Sequence, residues 1–322
     1  MTKITNIKLL KKPLKTIPIF FAADDNYVPF LAVSIKSMLD NASKYYFYNI
    51  YILTEGISIE NQKRLEKYQT QNSKIHFVEL SSYITKIKDR LASTLRDYYT
   101  ESIFYRIFIA ALHPELKKAI YLDCDIVVLG DISKLYNTNL GDNILGAVTD
   151  DVISGNEDFK IYAKYAVGVD HTQYFNSGVL VMNLEEYRKQ KIQERFVYLL
   201  IKHNFETAAP DQDYLNVLCH GKVKYLDKGW DKMSTDTNFD GKLNLIHYNN
   251  FRKPWYYDNV PYEEYFWEYA KKTDFYEDIL NIKNSFTPEM DKAKVEGAIG
   301  LVEMTKRIVA SDKNFYKTLK KN

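Results

Sequence analysis

Cysteine is scarce in this 322-residue chain: there are two, Cys124 and Cys219. Neither their number nor their spacing suits a disulfide framework or a zinc site, so a reducing, cytoplasmic compartment is expected. Charge of one sign is missing as well. A net charge of +2 gives no global attraction for nucleic acid. Long apolar runs are also wanting. The basic N-terminus, "MTKITNIKLLKKPLKTIPIFFAADD", carries a short apolar stretch cut off by Asp24 and Asp25. That is a poor signal peptide and no transmembrane helix. Internal repeats and low-complexity linkers are absent from the pattern. Glycine is missing where nucleotide folds most often use it. The strand-like "IPIFFAA" runs straight into "DDNYVPF". A dinucleotide fingerprint or a P-loop needs glycines there so that backbone can approach phosphate, so both are excluded.

What is present is an ordinary globular supply of core. Apolar residues make up 46% and charged residues 27% of the chain. The 27 tyrosines suit polar pockets and sugar-stacking surfaces, although the composition of the source proteome is the simpler cause. "IPIFFAA" (Ile17–Ala23) and "NIYIL" (Asn49–Leu53) read as buried strands, as do "KIHFVEL", "ILGAVTD" (Ile144–Asp150), "FNSGVLVMNL" (Phe175–Leu184) and "LNLIHYN" (Leu243–Asn249). Pro29 opens a helix whose Leu31, Ile35, Met38 and Leu39 recur at helical spacing. Further helices are predicted through "SIENQKRLEKYQTQ", around Leu91, over Phe104–Leu112, from Glu185 to Asn204, and through "DQDYLNVLCHG". Strands alternating with helices predict an α/β fold on a mainly parallel sheet. After Pro261 the pattern is helical throughout, as expected of a C-terminal appendage.

The most informative stretch is "AIYLDCDIVVLG" (Ala119–Gly130), read as one buried strand with Asp123 and Asp125 on the same face and Cys124 on the other. Two carboxylates about 4 Å apart repel by ~4 kcal/mol at an effective dielectric near 20. A divalent cation such as Mn²⁺ or Mg²⁺ would turn that repulsion into a ligand pair and leave positions open for substrate phosphates. The plainer alternative is a pair of turn or cap aspartates after a strand ending at Leu122. Haloacid-dehalogenase phosphatases also place Asp-x-Asp after a strand, and "DCDIV" fits that pattern. In "LIHYNNFRKPW" (Leu245–Trp255), His247 offers an imidazole ligand and Lys253 a partner for phosphate oxygens. In "FAADDNYVPF", Asp24, Asp25, Asn26 and Tyr27 could serve a ribose and a base. Equally, Asp25 or Asn26 could cap the helix that Pro29 opens.

Taken together, the blocks "FAADDNYVPFLAVSIKSML", "YRIFIA", "IYLDCDIVVLGDISKLY", "YFNSGVLVMNL", "PDQDYLN" and "IHYNNFRKPW" resemble glycosyltransferase family 8. This retaining group includes bacterial lipooligosaccharide galactosyltransferases and glycogenin. The blocks fall in the family's order over roughly residues 17–257. The more than one hundred residues before Asp123 count against the phosphatase pattern, which normally opens its chain. The resemblance implies a GT-A fold over 17–260, with residues 1–16 an N-terminal extension and 261–322 a C-terminal helical region. It implies transfer of galactose or glucose from a UDP-sugar to a glycan on lipid, polysaccharide or protein. Mn²⁺, or Mg²⁺ in its place, would be held by Asp123, Asp125 and His247. Ala22, Asp24, Asn26 and Tyr27 match positions around the uridine. Lys253 matches the diphosphate lysine, and Arg106 an arginine near the donor sugar. Asp150 and Asn176 match donor-sugar positions, and Asp211 and Gln212 residues at the reacting sugar. Gln212 matches the group on the face of that sugar opposite the leaving UDP. One departure concerns the His-x-x-Gly-x-x-Lys-Pro-Trp motif, where Asn250 replaces glycine. Asparagine tolerates the left-handed region better than most residues. A non-catalytic glycan- or nucleotide-binding protein on the same fold is the further alternative. For the lysine-rich helix from Lys292 to Lys321, docking on the catalytic domain is preferred over peripheral contact with the inner face of a membrane.

Overall fold

Residues 14–80, 101–249 and 251–320 are described by the computed structural model. Asn250, the helix expected around Leu91 and nearly all of the N-terminal extension lie outside them. Ten strands occur among the described residues: β1 (Lys15–Ala22), β2 (Tyr46–Thr54), β3 (Ser73–Glu79), β4 (Lys118–Leu122), β5 (Ile126–Val128), β6 (Leu145–Ala147), β7 (Val179–Asn183), β8 (Val223–Tyr225), β9 (Lys232–Met233) and β10 (Leu245–His247). Seven form one sheet in the order β3-β2-β1-β4-β7-β6-β8. The pairs β1–β2, β2–β3, β1–β4 and β6–β8 are parallel, and β7 runs antiparallel to both β4 and β6. The remaining three make a small sheet, β5-β10-β9.

The continuous apolar runs follow from burial on both faces of the large sheet. Alternate residues of β1, β4 and β7 enter different cores. Ile17, Ile19, Phe21, Ile120, Leu122, Val179 and Val181 pack with the Val28–Asn41 helix. Phe20, Ala119, Tyr121, Leu180 and Met182 pack on the opposite side with Phe104, Phe108 and Phe196.

"AIYLDCDIVVLG" is not one strand. The chain leaves the large sheet after Leu122 and enters the small one at Ile126. Leu122 and Ile126–Val128 share one hydrophobic cluster, so the apolar pattern is continuous although the hydrogen-bonded ladder is not. Asp123 and Asp125 lie in the crossing between the sheets, at the carboxyl end of β4. The expected helix from Glu185 to Asn204 is likewise two, Leu184–Lys189 and Ile192–Lys202, parted at Lys191 with φ of 53°. Helical periodicity on either side gives no hint of one left-handed residue. "FNSGVLVMNL" becomes a strand only at Val179, and the helix after Ser58 stops at Glu66.

Past Val260 the described chain is helical. Within Glu263–Ala270 and Tyr276–Asn284, Phe266, Tyr269 and Ile279 join the core beneath the Val28–Asn41 helix. The long Pro288–Ala310 helix packs Met304 and Ile308 against Phe159, Tyr162, Tyr174 and Ala208, which agrees with the docked arrangement. Among the described residues, no helix is long and apolar enough to cross a membrane.

Candidate active site

A cleft of about 510 Å³ opens beyond the carboxyl ends of β1 and β4, where ligands bind in open α/β sheets. Asp123, Asp125 and His247 meet in it. One ligand atom from each lies within 4.8 Å of the others. His247 arrives through β10, whose antiparallel register sets it opposite Ile126, one residue beyond Asp125. Its Nε2 is 3.2 Å from Asp125 and 3.8 Å from Asp123. Its Nδ1 is 2.9 Å from the buried carboxylate of Asp231. That second bond fixes the ring so that Nε2 faces the acids, the usual support of a metal-ligating histidine. Lys253 donates to Asp125 Oδ2 at 2.5 Å and to the Tyr248 carbonyl at 2.7 Å. Asp123 Oδ1 accepts from Arg106 and from the Tyr121 hydroxyl, each at 2.9 Å.

The charges here are held by one another. Burial would raise the Asp125 pKa, yet Lys253 and His247 keep it well below the ordinary carboxylate range. Burial also disfavours a charged His247, but Asp125 and Asp231 outweigh it and raise its pKa well above the usual value. His247 Nε2 thus faces two carboxylates in a place that favours positive charge, and a metal there would need the imidazole neutral. Two oxygen donors and one oriented imidazole, in a cradle that already favours positive charge, suit a divalent ion such as Mn²⁺ or Mg²⁺.

Arg106 links this cluster to a second one. Its guanidinium, 4% exposed, reaches Asp123 at 2.9 Å, Asp211 at 3.1 Å and the Ser177 carbonyl at 2.6 Å. It lies 4.3 Å over the Tyr121 ring. Burial opposes its charge, while Asp123 and Asp211 raise its pKa above the ordinary value. Ser177 donates its hydroxyl to Asp211 and its amide to Gln212 Oε1, both at 2.9 Å. Gln212 Nε2 and Asn176 Nδ2 each donate to Asp150 Oδ2 at 3.0 Å. Asp150 Oδ1 caps the next helix through the amides of Val152 and Ile153. Arg106, Asp150, Asn176, Asp211 and Gln212 are therefore one connected wall of the cleft. The amide of Gln212 can sit only one way round, with its nitrogen toward Asp150. Its oxygen accepts from the Ser177 amide at 2.9 Å and more weakly from the Ser177 hydroxyl at 3.4 Å.

The opposite end is less as expected. Ala22, Asp24 and Tyr27 line the cleft, but Asn26 does not and is exposed. Neither Asp25 nor Asn26 caps the Val28–Asn41 helix, whose N-terminus takes no side-chain cap. It is Asp24 that caps the short turn before the helix, accepting from the Tyr27 amide at 3.0 Å. Asp25 turns away to Ser58 and Asn61. Asn26 was placed by motif position, which carries no information on side-chain direction.

Several residues of the site carried no signal that was used. Asp231, Ser177 and Tyr121 hold the ligands and Arg106. Gly178 leaves room for them. Asp213, beside the pair in "PDQD", is fully buried and faces away, accepting from the Tyr162 and Tyr174 hydroxyls at 2.6 Å each and from the Ala209 amide. Burial dominates and pushes its pKa up to about 6. A carboxyl whose folded pKa is raised contributes stability below its unfolded value, and loses it as pH climbs through the folded one. Asp213→Asn should therefore change stability differently at pH 4 and pH 7. Relative to wild type, the variant should gain about 2–3 kcal/mol across that window. Urea unfolding of both proteins at the two pH values reads the difference, and parallel profiles would contradict it.

Comparison with known proteins agrees with this architecture. The family description "Glycosyl transferase family 8" matches residues 18–259, and the chain belongs to that family. A putative glycosyltransferase of Haemophilus influenzae is 30% identical, over 72% of this chain and 68% of its own. A lipopolysaccharide 1,2-glucosyltransferase of Escherichia coli is 27% identical, over 86% of this chain and 83% of its own. The galactosyltransferase LgtC, solved with donor and acceptor sugar analogs, superposes with a TM-score of 0.65 at 26% identity, over 86% of this chain and all of its own. The fold is the GT-A α/β fold of these enzymes.

Proposed function

We propose that the protein is a retaining hexosyltransferase. It would move galactose or glucose from a UDP-sugar to a glycan acceptor with Mn²⁺ as the metal. The observation that carries this is the convergence of Asp123, Asp125 and His247 beside Lys253 and Arg106 in one cleft. When bound, the metal would supply Lewis acidity at the diphosphate and take up charge on the departing UDP. Lys253 shares that task as a point charge on the phosphate oxygens. Ala22, Asp24 and Tyr27 form the nucleoside end. The rigid wall of Asp150, Asn176, Asp211 and Gln212 orients the sugar, and Arg106 lies between Asp211 and Asp123, paired with both.

Retention of configuration follows from a front-side route. The acceptor hydroxyl attacks the anomeric carbon on the face that UDP leaves, and its proton passes to the departing phosphate oxygen. Asp211 and the oriented amide oxygen of Gln212 stabilise the oxocarbenium-like transition state. An amide is a poor nucleophile, and both oxygens of Asp213 are occupied away from the cleft, which supports this route over a double displacement. Trapping a covalent sugar on Asp211 or Asp213 would reverse that order of preference.

The acceptor's chemistry is drawn from the relative that is a lipopolysaccharide 1,2-glucosyltransferase, so a lipid-linked glycan is the first acceptor to try. A screen of UDP-sugars, scored by UDP release with Mn²⁺ and with EDTA, tests the whole reading. Release of phosphate from phosphomonoesters with Mg²⁺ would instead favour the phosphatase pattern. UDP binding with no turnover of any donor would favour a binding protein.

Gln212→Ala separates the sugar wall from the nucleotide. Transfer should slow by about 10–100-fold, because only transition-state contacts are removed. Affinity for UDP with Mn²⁺ should stay within about twofold. The Ser177 amide is left unpaired, at a cost of about 1–3 kcal/mol in stability. Calorimetric titration showing a large loss of UDP affinity would refute this placement.

A further inference from the structure

Lys294 belongs to the Pro288–Ala310 helix, beyond the segment that matches the family. It nevertheless lines the catalytic cleft together with Lys253, Tyr256 and Tyr27. Its ammonium rests 4.3 Å from the Tyr256 ring. Among the described residues no carboxylate pairs with it. Partial burial, and after it the like-charged Lys253, depress its pKa. A half-buried lysine facing a second lysine across a cleft is an unfavourable arrangement unless an anion comes between them.

The helix is also tied to the Lys253 loop itself. Asp291, one turn before Lys294, accepts from the Tyr257 hydroxyl at 2.7 Å. The segment just before the helix adds to this: Lys283, in the Tyr276–Asn284 helix, donates to the carbonyls of Pro254 and Tyr257 at 3.0 Å each. Phe286 packs on Tyr256 with ring centroids 5.0 Å apart. Loop and helix thus hold the two lysines in a fixed relation.

We propose that Lys294 is a second lysine for the donor's diphosphate, delivered by the C-terminal helix, which makes that helix part of the nucleotide site. Lys253 is half committed to Asp125 and serves the phosphate nearer the metal ligands. Lys294 is committed to no acid and answers the phosphate nearer Tyr256 and the nucleoside end. This rests on the reading of the cleft as a UDP-sugar site.

The test is titration of UDP and of uridine, each with Mn²⁺, into the full chain and its Lys294→Gln and Lys294→Arg variants. Glutamine removes the charge and keeps the inner part of the aliphatic stem, and arginine restores both charge and reach. Lys294→Gln should weaken UDP about fivefold or more and leave uridine within twofold, with arginine restoring most of the loss. The difference between wild type and Lys294→Gln should shrink as salt rises. UDP affinity of Lys294→Gln within twofold of wild type would overturn the role of Lys294 while leaving the nucleotide site standing. Equal losses for UDP and uridine would overturn it too, by marking Lys294 as structural. Failure of the wild-type chain to bind UDP at all would overturn the nucleotide-sugar reading and this role with it.

Discussion

Asp125→Ala is expected to abolish transfer and to remove the gain in UDP affinity that Mn²⁺ confers. Among the described residues, Asp125 pairs with both His247 and Lys253, so its loss would open the proposed metal set and take from Lys253 one of its two anchors. Losing several kcal/mol of leaving-group stabilisation corresponds to a rate loss on the order of 10³-fold or more. Mn²⁺-dependent UDP affinity should fall about tenfold or more. The fold should survive. Lys253 keeps the Tyr248 carbonyl as a partner, and the unpaired charge costs about 1–3 kcal/mol. Asp125→Asn supplies the control for size. It fills the same volume, cannot serve as an anionic ligand, and should be as inactive as alanine. Calorimetry with UDP, with and without Mn²⁺, checks the claim. An unchanged Mn²⁺ effect on UDP binding would show that these acids do not hold the metal.

The sequence made the fold legible where a strand is buried on both faces. β1 and β2 were readable to within about three residues at either end, because their apolar runs have no competing explanation. The small sheet was not readable. β5 and β10 are three residues each, and β9 two. The pairing of β5 with β10 joins residues more than one hundred positions apart in the chain, such as Ile126 and His247. For the same reason "AIYLDCDIVVLG" looked like one strand: hydropathy reports burial and says nothing of which neighbour a strand hydrogen-bonds. The acids still converge, by a turn between two sheets rather than by alternation along one.

The site divides along a similar line. Residues carrying chemistry by type, such as Asp123, Asp125, His247 and Lys253, were legible. Residues acting by position were not. Asp231 sits in "KGWDK", where nothing distinguishes it from a surface acid until β9 is seen to run beside β10. Lys294 sits in a helix whose lysines otherwise look solvated. Asn26 shows the converse, since a suitable side chain at a motif position is exposed and does not line the cleft.

Gly178 belongs to the positional class and carries the second large prediction. It follows Asn176 and Ser177 in "FNSG". Its carbonyl accepts from the Asp123 amide and its amide donates to Asn176 Oδ1, each at 2.8 Å. A Cβ placed on it would lie 2.4 Å from His247 Cε1, 2.6 Å from Asp123 Oδ2 and 3.0 Å from Asn176 Oδ1. Those two main-chain bonds keep the loop from backing away, so His247 or Asp123 has to move. His247 is pinned by Asp231, and Asp123 by Arg106 and Tyr121. Displacing either breaks a buried charged contact. Gly178→Ala, a single added methyl, should therefore weaken Mn²⁺ binding by about 10–100-fold, as loss of a metal's supporting shell does, and cost about 1–3 kcal/mol in stability from overpacking. The φ of Gly178 lies outside the left-handed region, so the effect is one of space and not of backbone strain. Two measurements decide it: Mn²⁺ titration followed by calorimetry, and urea unfolding without metal. Near-wild-type Mn²⁺ affinity in a folded Gly178→Ala protein would mean that the ligands can shift by more than 0.5 Å and still bind. The tight convergence of Asp123 and His247 would then not be what holds the ion.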